Sequence, residues 1–495
     1  MAMAGCEINI LMKQRLSFIV LLLACVAVGF KSMAAQFTIG TVQELNMVLG
    51  KLKPGDVVIW KNGHYKDVNI SFATNGEEQK MIFLKAETAG KVIFTGSSQL
   101  TLKGKWLQAE GFLYEGTSTL PKGDVLSFSS DAMHCRITNC AVINYSPVDS
   151  MVNNNWISLQ GTYNEVDHCY FSGKTNQGPY LVVRYYKAPG YVDGSDAAPS
   201  TYHHIHHNYF GYRTLPTDNG GEDMRIGDSF TSFTHGFNII EYNYFEDHRL
   251  EPEVISNKSW DNIYRFNTFI NNDGQMVLRH GQKCFVYGNY FDGKSGRNKS
   301  GGIRIINANQ TVFNNYITNV EGSEKDASKA AIVIMCGLLG SPLNGYYPAD
   351  NALVAYNTSV NCRTPVYKIG YGNKTKGLPL VAPQHLTIVN NLVIQSLGNE
   401  TIAVENEPVT YNECKDNFYS NGNSAVKGFS ELRKNEIKEK DLFYYVEKPV
   451  NNTIVDSINQ RLAIHNIKLT EKEITQFDPK WKLSKNDVGV SWIRK

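Results

Sequence analysis

The chain has almost no net charge, no paired-cysteine motif and only one long apolar run, and each absence narrows what it can be. Lys and Arg number 49 against 47 Asp and Glu, a formal charge of +2 over 495 residues. A general nucleic-acid binder carries a basic excess and an acidic disordered chain the reverse. Both classes are excluded, although a local basic cleft is not. No C-x-x-C pair points to a zinc site. Beyond the N-terminus no stretch is apolar for long enough to span a membrane. Between Val57 and Asn391 no long amphipathic helical period appears; short strand-like runs and turns fill that length, which argues for an all-β fold.

The one apolar run, Phe18 to Phe30, follows Lys13 and Arg15 and precedes Ser32-Met33-Ala34. It is too short for a comfortable membrane span and reads as an export signal over residues 1–35. Leu22-Leu23-Ala24-Cys25 also resembles a lipoprotein cleavage site, a weaker reading because the residues after Cys25 stay apolar. The expected location is periplasmic or secreted. Seven cysteines lie beyond the signal: Cys135, Cys140, Cys169, Cys284, Cys336, Cys362 and Cys414. Their odd number and wide spacing suggest small core residues, with Cys135 and Cys140 the one pair placed to differ.

What the chain does have is a repeat. Apolar residues, an Asn and a further apolar pair recur around Asn139, Asn208, Asn243, Asn267, Asn289, Asn315, Asn357 and Asn391, with His168 in the Asn place of one copy. The steps from Asn243 to Asn267, Asn289 and Asn315 all fall in the twenties, a solenoid period and too short for a four-stranded propeller blade. An Asn between two strands suits a sharp bend, since it tolerates the left-handed region. Stacked coils would line these amides into a hydrogen-bonded ladder. The spacing predicts a parallel β-helix over 36–410, with 411–495 supplying its last coils and a cap that includes a helix near Ile454 to Ile467. Wider gaps, from His168 to Asn208, Asn208 to Asn243 and Asn315 to Asn357, mark insertions, expected at Lys174–Gly178, Thr214–Arg225 and Gly337–Tyr347. Binding groups gather on such excursions from a rigid scaffold.

One stretch carries chemistry. Glu251-Pro252-Glu253 places two carboxylates at i and i+2, on one face of a strand. Lys258 follows, Arg279-His280 comes one repeat later, and Arg304 a repeat beyond that. At one coil per step, Lys258, Arg279 and Arg304 form a basic row beside an acidic site. Asn219-Gly220-Gly221-Glu222, between one and two repeats before Glu251, adds an amide oxygen and a carboxylate, completing a calcium-type oxygen set. Removing the proton α to a uronate carboxylate is hard because the carboxylate is already negative, and a bridging calcium ion neutralises it. A neutral lysine beside another cation can then take the C5 proton. Arg279 can stabilise or protonate the leaving O4, giving a 4,5-unsaturated uronate without addition of water.

These runs, Asn219 to Glu222, Glu251 to Ser259, Leu278-Arg279-His280-Gly281 and Gly301-Gly302-Ile303-Arg304, resemble polysaccharide lyase family 6, which contains alginate lyases and chondroitinase B. The resemblance implies a single-stranded right-handed parallel β-helix. It implies calcium (Ca2+) at Asn219, Glu251 and Glu253, with Glu222 beside them. It also implies Lys258 as base, Arg279 as acid, and His280 and Arg304 on substrate. Arg225 and Lys174, on or beside the insertions, are further expected substrate contacts. The expected partner is an anionic uronate polysaccharide, alginate first and dermatan or chondroitin as the alternative. A β-helix glycoside hydrolase using Glu251 and Glu253 leaves Lys258 and Arg279 unexplained. A non-catalytic glycan-binding solenoid predicts that loss of Lys258 changes nothing. His203, His204, His206 and His207 suggest a metal cluster, but alternation splits them two and two between faces.

Overall fold

The structure, a computed structural model, describes residues 34–493 apart from 215–218, 250, 295–298, 323–327, 373–376, 425 and 448–449. The apolar run of the expected export signal lies outside the described residues. A Thr41-capped helix, Val42–Leu49, precedes the first coils. From there the chain winds through three parallel sheets of 14, 14 and 13 strands, here sheets I, II and III in the order one coil visits them. A representative coil contributes Ile239–Glu241 to sheet I, Tyr244–Glu246 to sheet II and Glu253–Lys258 to sheet III. Among the described residues no helix is long and apolar enough to cross a membrane.

In-register stacking explains the core. Equivalent residues of successive coils lie one strand spacing apart, about 4.8 Å, so like stacks on like. Phe171, Phe210, Phe245, Phe269 and Phe291 form such a column, with ring centroids 5.3, 4.9, 4.8 and 4.4 Å apart. The expected amide ladder is present. From Asn208 through Asn243, Asn267, Asn289, Asn315, Asn357 and Asn391 to Asn417, each Nδ2 donates to the next Oδ1 at 2.9–3.1 Å. The ladder Asn is not itself the left-handed residue. That role falls to the residue before it: His207, Tyr242, Phe266, Asn314, Tyr356 and Asn390, with φ near +50 to +56. The bend thus divides its work between a left-handed residue facing outward and an amide facing in. The register also pairs Asn208 with Cys169, whose N–H donates to Asn208 Oδ1, so Cys169 and not His168 holds the ladder position in that coil. Cys135 and Cys140 are unbridged, as are the other five cysteines.

The excursions differ in part from expectation. Lys174–Gly178 is a compact turn; the extra length in that coil lies at 184–203, between strands Leu181–Val183 and His204–His206. The 337–347 insertion is as expected and is pinned by an antiparallel pairing of Gly337–Leu338 with Leu380–Val381. The Thr214–Arg225 candidate falls partly outside the described residues.

After the strand Phe429–Glu431 the chain turns back along the solenoid flank. Helix Asn452–Leu462 lays Ile454, Val455, Ile458 and Leu462 on Ile263, Phe285, Phe313 and Leu353 of sheet I. The tail then retraces the coils. Leu483 N–H donates to Thr268 Oγ1, Gly489 N–H to the His207 carbonyl, and Trp492 Nε1 to Asn139 Oδ1. The C-terminal segment therefore straps the side of the stack, covering sheet I apolar residues that solvent would otherwise meet.

Candidate active site

The outer face of sheet III carries the expected residues. In register, Arg225 faces Ser256, Ser256 faces Val277, and Val277 faces Arg304. The alternate residues Met224, Ile255, Met276, Leu278, Ile303 and Ile305 point into the core. Two register shifts interrupt the pairing of Glu253–Lys258 with Gln275–His280: Glu253 faces Gln275, but Ile255 faces Met276; Asn257 faces Leu278, but Lys258 faces His280. Val254 and Arg279 are the extra residues. Arg279 is thus not the strand partner of Lys258 but the bulged residue next to that partner. Bulges re-aim side chains in this way beside functional sites. Gly227, on the coil preceding Lys258, has φ +81 and a virtual Cβ only 2.9 Å from the Tyr185 ring, so no side chain stands there.

Three carboxylates crowd one end of this face. Glu251 and Glu222 are buried, and Glu251 Oε2 accepts a hydrogen bond from Gly221 N–H at 3.1 Å. Burial, then the neighbouring charges of Glu222 and Glu253, push the Glu251 carboxyl up to about 8. Glu222 Oε2 is buried without a hydrogen-bond partner, with Arg225 Nη1 4.0 Å away. Burial also opposes charge on Glu253, but Arg304, Arg279 and Lys258 outweigh it and hold its carboxyl below the usual range. Glu253 Oε1 accepts from Arg304 Nη2 at 3.1 Å, so the acidic and basic sets interlock through one residue. An all-oxygen set with a raised carboxyl and an orphaned buried oxygen suits a hard divalent cation. Asn219 opens the same turn as Glu222, which is anchored by the Gly178 N–H to Gly220 carbonyl bond.

Other groups support this end and belong to none of the recognisable runs. Arg213 is fully buried, donates to the Glu222 carbonyl at 2.8 Å and stacks on Tyr180. Asp223 and His248, both fully buried, form a 2.9 Å pair. They stand one coil apart in the chain, and that period is the signal that finds them.

The basic end is built against the insertions. Arg279 Nη1 donates to the Gly345 carbonyl at 2.5 Å and Nη2 to that of Asn344 at 3.2 Å, while its guanidinium lies 4.0 Å over the Tyr346 ring. Tyr346 in turn packs on Val277, Ile306, Val333 and Met335. Gly194 of the 184–203 excursion packs against Leu343, where a Cβ would fall 2.7 Å from the leucine, so the two excursions meet. His280 is buried, with Nε2 3.1 Å from Ser229 Oγ, and braces the Asp228–Thr231 turn. Among the described residues Lys258 Nζ makes no ion pair.

Lys174 stands apart from this site. It is fully buried, and its ammonium is enclosed by Asn154 Oδ1, Asn176 Oδ1 and the carbonyls of Asn176 and Gln177. The expected substrate contact is replaced by a structural one, because the turn folds inward. The open floor at that level carries Arg184 instead, in a two-bond pair with Asp124 (2.7 and 3.1 Å) that no sequence motif marks. On sheet I, His204 and His206 share one face as alternation requires, and Glu165 of the preceding coil joins them, with one ligand atom of each within 4.8 Å of the others.

The comparisons agree with this fold. The family model described as Chondroitinase B matches residues 39–460. No individually curated protein matches the chain. Among solved structures, the PL6 family alginate lyase AlyGC superposes with a TM-score of 0.80 at 31% identity, over 93% of this chain and 59% of that one. The chain thus spans somewhat over half the length of AlyGC. A mannuronic acid specific polysaccharide family 6 lyase from human gut microbiota shares the fold, with a TM-score of 0.67 at 24% identity, over 93% of this chain and 97% of that one. The polysaccharide lyase Pedsa3628 from Pseudopedobacter saltans does so equally, over 92% and 100%. With the family model covering most of the chain and the sheet III constellation in place, the protein belongs to polysaccharide lyase family 6.

Proposed function

We propose that the protein is an exported alginate lyase that cleaves by calcium-assisted β-elimination. The observation that carries this is the juxtaposition, on one sheet face, of the Glu222–Glu251–Glu253 cluster with Lys258 and Arg279. Asn219, Glu222, Glu251 and Glu253 would hold the cation, with Glu253 sharing its charge with Arg304. When bound, calcium supplies positive charge against the uronate carboxylate and so favours loss of the proton next to it.

Lys258 takes the C5 proton. The C5–H electron pair forms the C4=C5 bond, and the C4–O4 bond breaks. Arg279, held by the Asn344 and Gly345 carbonyls and stacked on Tyr346, gives a proton to the departing O4 as that bond breaks. No water is consumed. Arg225 extends the positive floor along the chain direction of a polyanion. Export is supported by the N-terminal basic and apolar pattern, and alginate by the likeness to AlyGC.

Incubation with alginate and, separately, with dermatan sulfate tests the reading through the ultraviolet absorbance of the unsaturated uronate. Absorbance with alginate is expected. Signal from dermatan alone overturns the substrate, and new reducing ends without absorbance overturn the lyase chemistry in favour of hydrolysis.

A further inference from the structure

We propose that Glu165, His204 and His206 form a binding site for a zinc-type transition-metal dication on the outer face of sheet I. This face is separate from sheet III and its oxygen cluster. Glu165 faces His204 across adjacent coils, and His206 lies two residues on, projecting on the same side. His206 Nε2 is 2.9 Å from Glu165 Oε1.

Each imidazole has one nitrogen held from outside the triad. His204 Nε2 pairs with Glu241 Oε1 at 2.9 Å, and Glu241 is itself fixed by Arg265 Nε. His206 Nδ1 pairs with His207 Nδ1 at 2.8 Å. If His204 donates from Nε2 and His206 from Nδ1, the lone pairs at His204 Nδ1 and His206 Nε2 remain for a metal. Carboxylate-held imidazoles are the usual arrangement around zinc.

Charge favours occupation. Among the described residues, the three carboxylates of Glu165, Asp167 and Glu241 are paired with two guanidiniums, those of Arg136 and Arg265. Two imidazoles and one carboxylate form a borderline ligand set that suits zinc and not calcium, whose preference is for oxygen. The ligands are reachable, with side-chain exposures of 34% for Glu165, 41% for His204 and 13% for His206. The buried face of the C-terminal helix packs on Ile263, Phe285, Phe313 and Leu353. A metal here would staple the two coils between which the 184–203 excursion leaves and returns.

The test is zinc chloride titration of the untagged, chelator-stripped full-length protein by calorimetry, with cobalt absorption as a second probe. One zinc equivalent is expected in the wild type and in Glu251→Gln, undisplaced by calcium. Binding should be lost in His206→Ala and His204→Gln and weakened about tenfold in Glu241→Gln. Zinc should raise the melting temperature of the wild type but not of His204→Gln, the exposed position least apt to disturb folding. No uptake by the wild type, or wild-type affinity in both His variants, overturns the site. Loss in Glu251→Gln with retention in His204→Gln also overturns it, by moving the metal to sheet III.

Discussion

Glu253 Oε1 accepts a hydrogen bond from Arg304 Nη2 at 3.1 Å, and Arg279 Nε lies 3.8 Å from the same oxygen. Both members of the closer pair are largely buried, so removing Arg304 takes away the nearest of the cations that offset the buried Glu253 charge. Arg304→Ala should lower unfolding free energy by about 3 kcal/mol, read as a shift in the denaturant midpoint at constant m. A change under about 0.5 kcal/mol, the scale of an ordinary surface substitution, would show that the pair does not brace the site.

Lys258 and Arg279 should separate in kinetics. Lys258→Ala removes the proposed base alone, with kcat expected to fall about a thousandfold while KM holds. Arg279→Ala also frees Tyr346 and the Asn344 and Gly345 carbonyls, so KM should rise as kcat falls. Steady-state rates on alginate decide this; retained turnover in Lys258→Ala rules that residue out as the base.

Chelation should abolish turnover reversibly. Calcium is expected to restore activity and to raise the melting temperature of the stripped wild type, since it neutralises the crowded Glu222, Glu251 and Glu253. Glu251→Gln relieves part of that crowding and should melt higher than wild type without metal, yet respond less to calcium. Equal calcium responses would remove Glu251 from the ligand set.

Asn267 links two ladder neighbours: it donates to Asn289 Oδ1 and the Ile240 carbonyl and accepts from Asn243. Asn267→Ala leaves several buried groups unpaired and should cost about 3 kcal/mol. Equilibrium unfolding measures it, and a near-neutral change would mean that the ladder contributes little to stability.

His203 gives a pH dependence. Burial holds its imidazole down at about 3, against an ordinary value of 6.5, with Nδ1 accepting from Asn164 N–H. Below 6.5 the unfolded chain binds a proton that the folded chain excludes, so stability falls as pH drops from about 6.5 to about 3. His203→Gln should melt with a shallower slope over about pH 7 to 4. Parallel slopes would contradict a neutral buried His203.

The fold was legible because a solenoid writes its period into the chain. The regular steps between Asn243, Asn267, Asn289 and Asn315 define the coil and the ladder. They also define the one-coil offsets that bring Glu253, Lys258, Arg279 and Arg304 together. Lys174 departs from expectation because a short polar run reads as an exposed loop, whereas here it turns inward and is satisfied by Asn154 and Asn176.

By itself, the sequence determined the periodic backbone and the residue types of the site, since stacking in register makes position along the chain equivalent to position in space. Only the tertiary structure decided the aim of the side chains. The bulge that sets Arg279 beside the partner of Lys258, the Glu253–Arg304 pairing and the convergence of Glu165 with His204 and His206 all depend on register between coils. A single extra residue in one strand changes that register, and no local pattern records it. The run from Glu251 to His280 thus supplies the residues of the proposed chemistry, and the packing of coils and excursions around it supplies the geometry.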